Sequence, residues 1–204
     1  MSDIKISVIV PVYNSAVYLR QCLDSLVHQT LRDIEIICAY DQSTDNSLEI
    51  LNEYVGRYSR LVVLILDENR RLGAARNEAL KIAKGEYVGF VDGDDWVELD
   101  MYEKLFLAAD ATGGADIATV TQHFKDREKK YIIEKHIPLE VFNLSREDIN
   151  KYICKNLSTP QWMNIVKKNL FFENQLFFAE NILNEDVPIS HVLYCLANAI
   201  AVVD

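Results

Sequence analysis

The sequence predicts an α/β fold: a mostly parallel sheet with helices on both faces, followed by a smaller and less regular region. Three observations carry this expectation. Strand-length apolar runs alternate with segments of helical period. The runs are nearly continuous in apolar residues, as strands covered on both faces are. Polar, acid-rich turns follow the strands, on the side where ligands of such sheets bind.

The elements follow in chain order. Ile4 to Val10 alternates and then turns apolar, and Pro11 is expected to stop it. From Ser15 to Gln29, Val17, Leu19, Cys22, Leu23, Leu26 and Val27 recur at three- and four-residue steps, with Asn14 or Ser15 available as N-cap. Ile34 to Ala39 is a second strand, and Asn46 with Glu49 forms a capping box for a helix reaching Tyr58. Leu61 to Leu66 is a third strand, Leu72 to Ala83 a helix and Tyr87 to Val91 a fourth strand. A helix from Asp100 to Thr112 is expected to end at Gly113-Gly114, with a further strand from Ile117 to Thr121. His123 to His136 is dense in charge and reads either as a solvated excursion or as a basic lip, Lys125 to Lys135, facing an anionic partner such as lipid. Helices near Arg146 to Lys155 and Val187 to Ala197 and a short strand from Ile200 to Val203 complete the pattern.

Composition narrows the function. With 204 residues, half hydrophobic and a quarter charged, the chain is an ordinary globular domain with room for one real core. Its 21 Lys and Arg stand against 31 Asp and Glu, a formal charge of −10, which argues against nucleic acid as a partner. Cys22, Cys38, Cys154 and Cys195 lack metal-ligand spacing and read as reduced core residues. No signal-peptide pattern opens the chain and no apolar run approaches the roughly 18 residues of a membrane span, so a cytosolic setting is expected.

Four segments could carry chemistry. In Asp92-Gly93-Asp94-Asp95 three carboxylates follow a buried strand. Packing does not call for them, they repel one another, and hard divalent cations such as magnesium or manganese bind such oxygens; the plain alternative is a capped turn with Asp95 or Asp100 as N-cap. Asp41, at the tip of another strand, could accept from a ring N–H or a ribose hydroxyl, or belong to ordinary helix-capping chemistry. Arg70 to Asn77 opens a helix with small residues and arginines, suiting either diphosphate or tight helix packing. Glu185-Asp186 precedes Pro188, where acids commonly serve only the helix N-terminus. The signatures of common hydrolases, dinucleotide-binding proteins and P-loop NTPases are missing from the sequence.

Val8 to Asn14, Asp41 to Ser47, Leu72 to Asn77 and Asp92 to Asp95, taken in order and spacing, resemble the inverting family 2 glycosyltransferases. The resemblance implies a GT-A fold and a nucleotide-sugar donor, a UDP-sugar being favoured. It also implies a Mn2+ or Mg2+ cofactor and transfer with inversion to a saccharide or glycolipid hydroxyl, in cell-envelope or capsular polysaccharide synthesis. Residues 1–121 would form the nucleotide-sugar half and 122–204 the acceptor-side half of one domain. Carried over by position, Pro11, Val12, Tyr13, Asp41, Arg76, Asp92 and Gly93 would line the nucleotide site, and Asp94 and Asp95 would hold the metal. Asp186, with Glu185 beside it, would be the general base, and Trp162 would stand on the acceptor side. Tyr40 and Gln42 replace acidic and glycine positions usual in the family, and the chain stops at Asp204 where relatives continue, which implies a missing part of the acceptor site. A weakly active nucleotide-binding scaffold and a metal-dependent phosphohydrolase are the rival readings.

Overall fold

The computed structural model describes residues 4–120, 122–127, 130–135, 163–180, 182 and 184–203. The alternating half runs β1 (Ile6–Val12), α1 (Ala16–Val27), β2 (Ile34–Tyr40), α2 (Ser47–Val55), β3 (Leu61–Ile65), α3 (Arg71–Ile82) and β4 (Tyr87–Phe90). After it come α4 (Met101–Ala111), β5 (Ile117–Val120), β6 (Gln122–Arg127), β7 (Lys130–Lys135), β8 (Asn164–Lys167), α5 (Lys168–Glu173), α6 (Asp186–Leu196) and β9 (Ile200–Val203).

Seven of these strands form one sheet in the order β3-β2-β1-β4-β8-β5-β9. β8 runs antiparallel to both β4 and β5, while β1–β2, β1–β4, β2–β3 and β5–β9 are parallel pairs. Period-two alternation sends Val8, Val10, Ile36 and Cys38 to one face, where they pack with Leu19 and Leu23 of α1, Leu51 of α2 and Leu105 of α4. Ile9, Ile37, Val88 and Phe90 face the other way, onto Ala75 and Ala79 of α3, Phe171 of α5 and Leu193 of α6. The helices therefore cover both faces. The chain leaves β1 toward β3 and returns beside β1 as β4, so the strand order reverses there and opens a crevice at the carboxyl ends.

Several local expectations change. Pro11 does not stop β1: it pairs with Ala39 of β2, and because β4 reaches only to Ile9 the missing N–H lies beyond the last β1–β4 pair. The capping box does not form, since the Asn46 side chain makes no cap hydrogen bond. Asp45 does that work instead, its Oδ1 accepting from Ser47 N at 3.0 Å and its Oδ2 from Ala16 N, at the start of α1, at 2.9 Å. The charge-dense excursion contains an antiparallel hairpin, β6–β7. β8 and α5 were not apparent in the sequence, because four residues between polar neighbours show no period and their pairing is set by distant strands. Cys22 and Cys38 are buried, but Cys195 is exposed and not a core residue. The helix expected over 146–155, Cys154 and Trp162 lie outside the described residues.

At the end of the sheet opposite the crevice, Glu35 Oε1 accepts from Ser7 Oγ and from Lys84 N, both at 2.6 Å, and Gly85 N donates to Ser7 Oγ at 2.8 Å. A Cβ on Gly85 would lie 2.5 Å from Ser7 N and 2.7 Å from Ile6 C, both backbone atoms that hold the sheet register. Gly85→Ala is expected to destabilise the fold by about 1–3 kcal/mol, the usual cost of overpacking. Urea denaturation checks this, and an unchanged midpoint would contradict the close approach.

Candidate active site

The crevice is built from the loops after β1, β2 and β4. The first two are laced together: Asn14 N donates to Ser43 Oγ at 3.0 Å, Thr44 N to Asn14 Oδ1 at 2.8 Å and Ser15 N to Ser47 Oγ at 3.2 Å. Burial opposes ionisation of Asp45, yet the hydrogen bonds from Ser47 and Ala16 prevail and hold its carboxyl below the ordinary carboxylate range. Pro11 and Val12 are buried in the crevice floor, and Tyr13 is exposed at its mouth. Gly93 is pressed on the same loop, where a Cβ would lie 2.8 Å from Ser15 Oγ and 3.3 Å from Pro11 O. Asn14 and Gln42, at the strand tips, and Arg71 and Asn184, flanking the crevice elements in sequence, have φ of +51°, +53°, +66° and +55°. Non-glycine residues adopt that region at a cost, and such residues cluster at functional sites.

Asp41 is fully buried at the end of β2. Its Oδ1 accepts from Arg70 N at 2.7 Å and its carbonyl from Asn69 Nδ2 at 3.1 Å, whereas Oδ2 is buried without a hydrogen-bond partner. A buried carboxylate oxygen left unpaired is costly, and a donor N–H or O–H on a ligand would complete it. Tyr40 and Gln42 brace this loop: the Tyr40 hydroxyl donates to Ser43 O at 3.0 Å, and Gln42 Nε2 donates to Leu66 O.

Of the two N-cap candidates Asp100 holds the position, without a side-chain cap bond, at the start of α4, whereas Asp92, Asp94 and Asp95 lie ahead of that helix and Asp95 N closes a turn to Asp92 O at 3.0 Å. Asp94 is exposed and Asp95 half-buried. Burial first, and then the charges of Asp92 and Asp94, push the Asp95 carboxyl up to about 6. A cation would relieve that repulsion, and these hard oxygens suit magnesium or manganese. Among the described residues, no three His, Cys, Asp or Glu side chains form a ready-made metal cage.

Arg76, 4% exposed, joins this loop to the second acidic pair. Its Nη2 lies 2.5 Å from Asp92 Oδ1, and its Nη1 pairs with Glu185 Oε1. Its guanidinium also stands 5.4 Å from the centre of the Phe178 ring. Glu185 is the buried N-cap residue of α6, and Asp186 is that helix's first residue, half-buried. Among the described residues no hydrogen bond or ion pair engages the Asp186 carboxylate. The two adjacent acids therefore differ: one is spent on Arg76 and the other is free. Arg70, the other arginine expected to meet diphosphate, is held by Glu78 at 3.1 Å and Glu180 at 3.2 Å. Asn14, Ser43 and Asp45 lie in the Val8 to Asn14 and Asp41 to Ser47 motifs, but their part in joining the two loops is not evident from the sequence, whose one signal for it is the tolerance of Asn and Asp for tight turns at strand tips. Arg76→Met is expected to cost about 3–5 kcal/mol, because it leaves the Glu185 carboxylate buried and unpaired. Replacing Glu185 by Met as well should restore most of that loss in urea denaturation, and a single variant as stable as the parent would contradict a desolvated pair.

The profile of glycosyl transferase family 2 matches residues 7–177. A poly(ribitol-phosphate) beta-glucosyltransferase of Bacillus spizizenii is 36% identical over 97% of this chain, and the glycosyltransferase GlyA of Streptococcus pneumoniae is 38% identical over 97%. The chain spans 31% and 29% of those two proteins. The structure of S. aureus TarS 1–349 in complex with UDP-GlcNAc superposes with a TM-score of 0.80 at 29% identity, covering 98% of this chain and 56% of that 1–349 fragment. The mannosyltransferase PcManGT of Pyrobaculum calidifontis, solved with GDP-Man and Mn2+, shares the fold at a TM-score of 0.70 and 19% identity, covering 98% and 54%. The expected GT-A fold is thus the observed one, and the chain belongs to glycosyl transferase family 2.

Proposed function

We propose that this chain is the donor-binding and catalytic part of an inverting glycosyltransferase. It transfers a sugar from a UDP-sugar to a hydroxyl of a saccharide or glycolipid in cell-envelope polysaccharide synthesis, at the cytosolic face of the membrane. One observation carries the reading: a buried carboxylate oxygen on Asp41 without a partner among the described residues, the acidic loop at Asp92, and Asp186, whose neighbour Glu185 is tied to that loop through Arg76, share one crevice end of the sheet. The UDP preference is supported by the UDP-GlcNAc complex of TarS, and the polysaccharide setting by the glucosyltransferase relative.

Asp41 Oδ2 accepts from the base, over a floor of Pro11, Val12 and Tyr13, and Asp92 with Gly93 borders the ribose. Asp94 and Asp95 would hold a divalent cation with one or two carboxylates, the shell being completed by diphosphate oxygens. When bound, that cation neutralises the charge developing on the leaving diphosphate. Asp186 takes the proton of the acceptor hydroxyl as that oxygen bonds to the anomeric carbon. The bond from that carbon to the diphosphate breaks on the opposite face, and its electron pair leaves with the UDP. The configuration inverts in an oxocarbenium-like displacement. Glu185 takes no proton in this scheme, being paired with Arg76. Trp162 retains its proposed place on the acceptor side.

Asp186→Asn is expected to lower turnover by roughly 10²–10⁴ with UDP affinity almost unchanged. Steady-state kinetics beside UDP titration checks this, and near-normal turnover would remove Asp186 from the role. In a thermal-shift panel of UDP, GDP and CMP, only UDP with manganese should raise the Tm strongly, and Asp94→Ala should abolish the manganese dependence. A response to UDP indifferent to manganese in the parent chain would refute the metal assignment, and no response to any nucleotide would refute the donor site.

A further inference from the structure

The Arg70 to Asn77 segment suits either a diphosphate or tight packing by sequence, and what its Gly73, Arg76 and Asn77 meet is the chain's own Phe178, Ala179, Glu180 and Glu185. Asn77, 4% exposed, grips Phe178 from both sides: its Nδ2 donates to Phe178 O at 2.9 Å, and Phe178 N donates to its Oδ1 at 2.8 Å. The amide thus copies the paired bonds of a neighbouring strand. Asn77 Nδ2 also lies 3.4 Å from Glu180 Oε1. One turn earlier, a Cβ on Gly73 would fall 2.4 Å from Ala179 O and 3.3 Å from Glu185 Cγ, so the segment lies directly on the helix backbone. Arg76, between these two positions, takes Glu185. Three neighbouring residues of one helix face therefore fix residues 178, 179 and 185, and the next residue along is Asp186.

We propose that Asn77 is a positioning residue for Asp186, acting with Gly73 as a seam that fixes the 178–185 segment, and through it the start of α6, against the acidic loop after β4. The proposal rests on the reading of Asp186 as the base. A buried Asn satisfied on both sides by one distant peptide unit gives a single allowed register, whereas an apolar contact would let the segment slide. Asn77 bonds directly to neither Asp41 nor the acids at Asp92; its one link toward Asp41 runs through the 3.4 Å contact to Glu180 and then Arg70, whose N–H to Asp41 comes from its own backbone, so loss of the Asn77 amide should spare donor binding.

The test compares the parent chain with Asn77→Ala and Gly73→Ala, reading UDP release from UDP-GlcNAc and UDP-glucose, the UDP-induced Tm shift and amide hydrogen exchange across 177–186. Gly73→Ala removes no polar group from α3 and raises its helix propensity, so it displaces the facing residues by a different route and serves where Asn77→Ala does not fold. Both variants are expected to exchange faster across 177–186 and to lose roughly 10–10²-fold in kcat, as a displaced catalytic group does. Donor KM and the UDP-induced shift should stay within about twofold, since uniform binding is untouched. Unchanged exchange in both variants would overturn the seam. Faster exchange with an unaltered kcat, or KM and the UDP shift worsening in step with kcat, would overturn the positioning role. A parent chain that releases no UDP overturns the glycosyl-transfer reading and not the anchoring, which the exchange measurement decides alone.

Discussion

A single guanidinium sets the geometry on which the rest of the crevice depends. Arg76 is buried between Asp92, at the end of a parallel strand, and Glu185, the cap residue of a helix 109 positions further along the chain. Charges withdrawn from water in this way gain from each other only when the geometry is good, and removing one member is far more costly than replacing both. The pair is therefore better understood as a determinant of register than as a reservoir of stability. It fixes how far the acidic loop stands from the start of α6, and both flanks of the chemistry are measured from that distance.

Around this tie the site is held by many small constraints. Left-handed backbone at Asn14 and Gln42 lets the loops after β1 and β2 turn sharply at their strand tips, and their mutual hydrogen bonds hold them there. Asp45 is central to that lacing because one carboxylate serves the first turns of both α1 and α2. The groups left over are the ones with chemistry to do: one oxygen of Asp41, the acids at positions 94 and 95, and Asp186. Among the described residues most buried polar side chains are satisfied within the protein, Arg76 Nε and the Tyr102 hydroxyl being exceptions beside Asp41 Oδ2, which suits a site preorganised for a charged, polar ligand.

The strands of the alternating half were legible because each is an apolar run bounded by polar turns, and burial on both faces leaves little freedom in how such runs are used. Their helices were legible for the complementary reason, a period of 3.6 that presents one apolar face. The acids at 92, 94 and 95 stood out because packing does not call for three carboxylates at a strand tip, whereas Asp41 and Asp186 suit helix-capping chemistry equally well and were picked out only by the family resemblance. The β8 strand was not legible: Asn-Ile-Val-Lys has no period, and its place between β4 and β5 is decided by partners about 80 and 50 residues away. The caps were misjudged for a similar reason, since the oxygen that serves α1 comes from a residue 29 positions distant.

By itself the sequence determined the sheet, its helical layers and the identity of the acids, because periodicity and the placement of charge at strand ends are local properties. Only the tertiary structure decided what each acid does. Glu185 and Asp186 are neighbours in the chain with the same charge, and composition gives no means of separating them. Burial against Arg76 commits the first and leaves the second free. The role of the Gly73 to Asn77 face was decided the same way. Small residues and an amide at a helix start suit a ligand or a packed segment equally well, and the fold brings Phe178, Ala179 and Glu185 there.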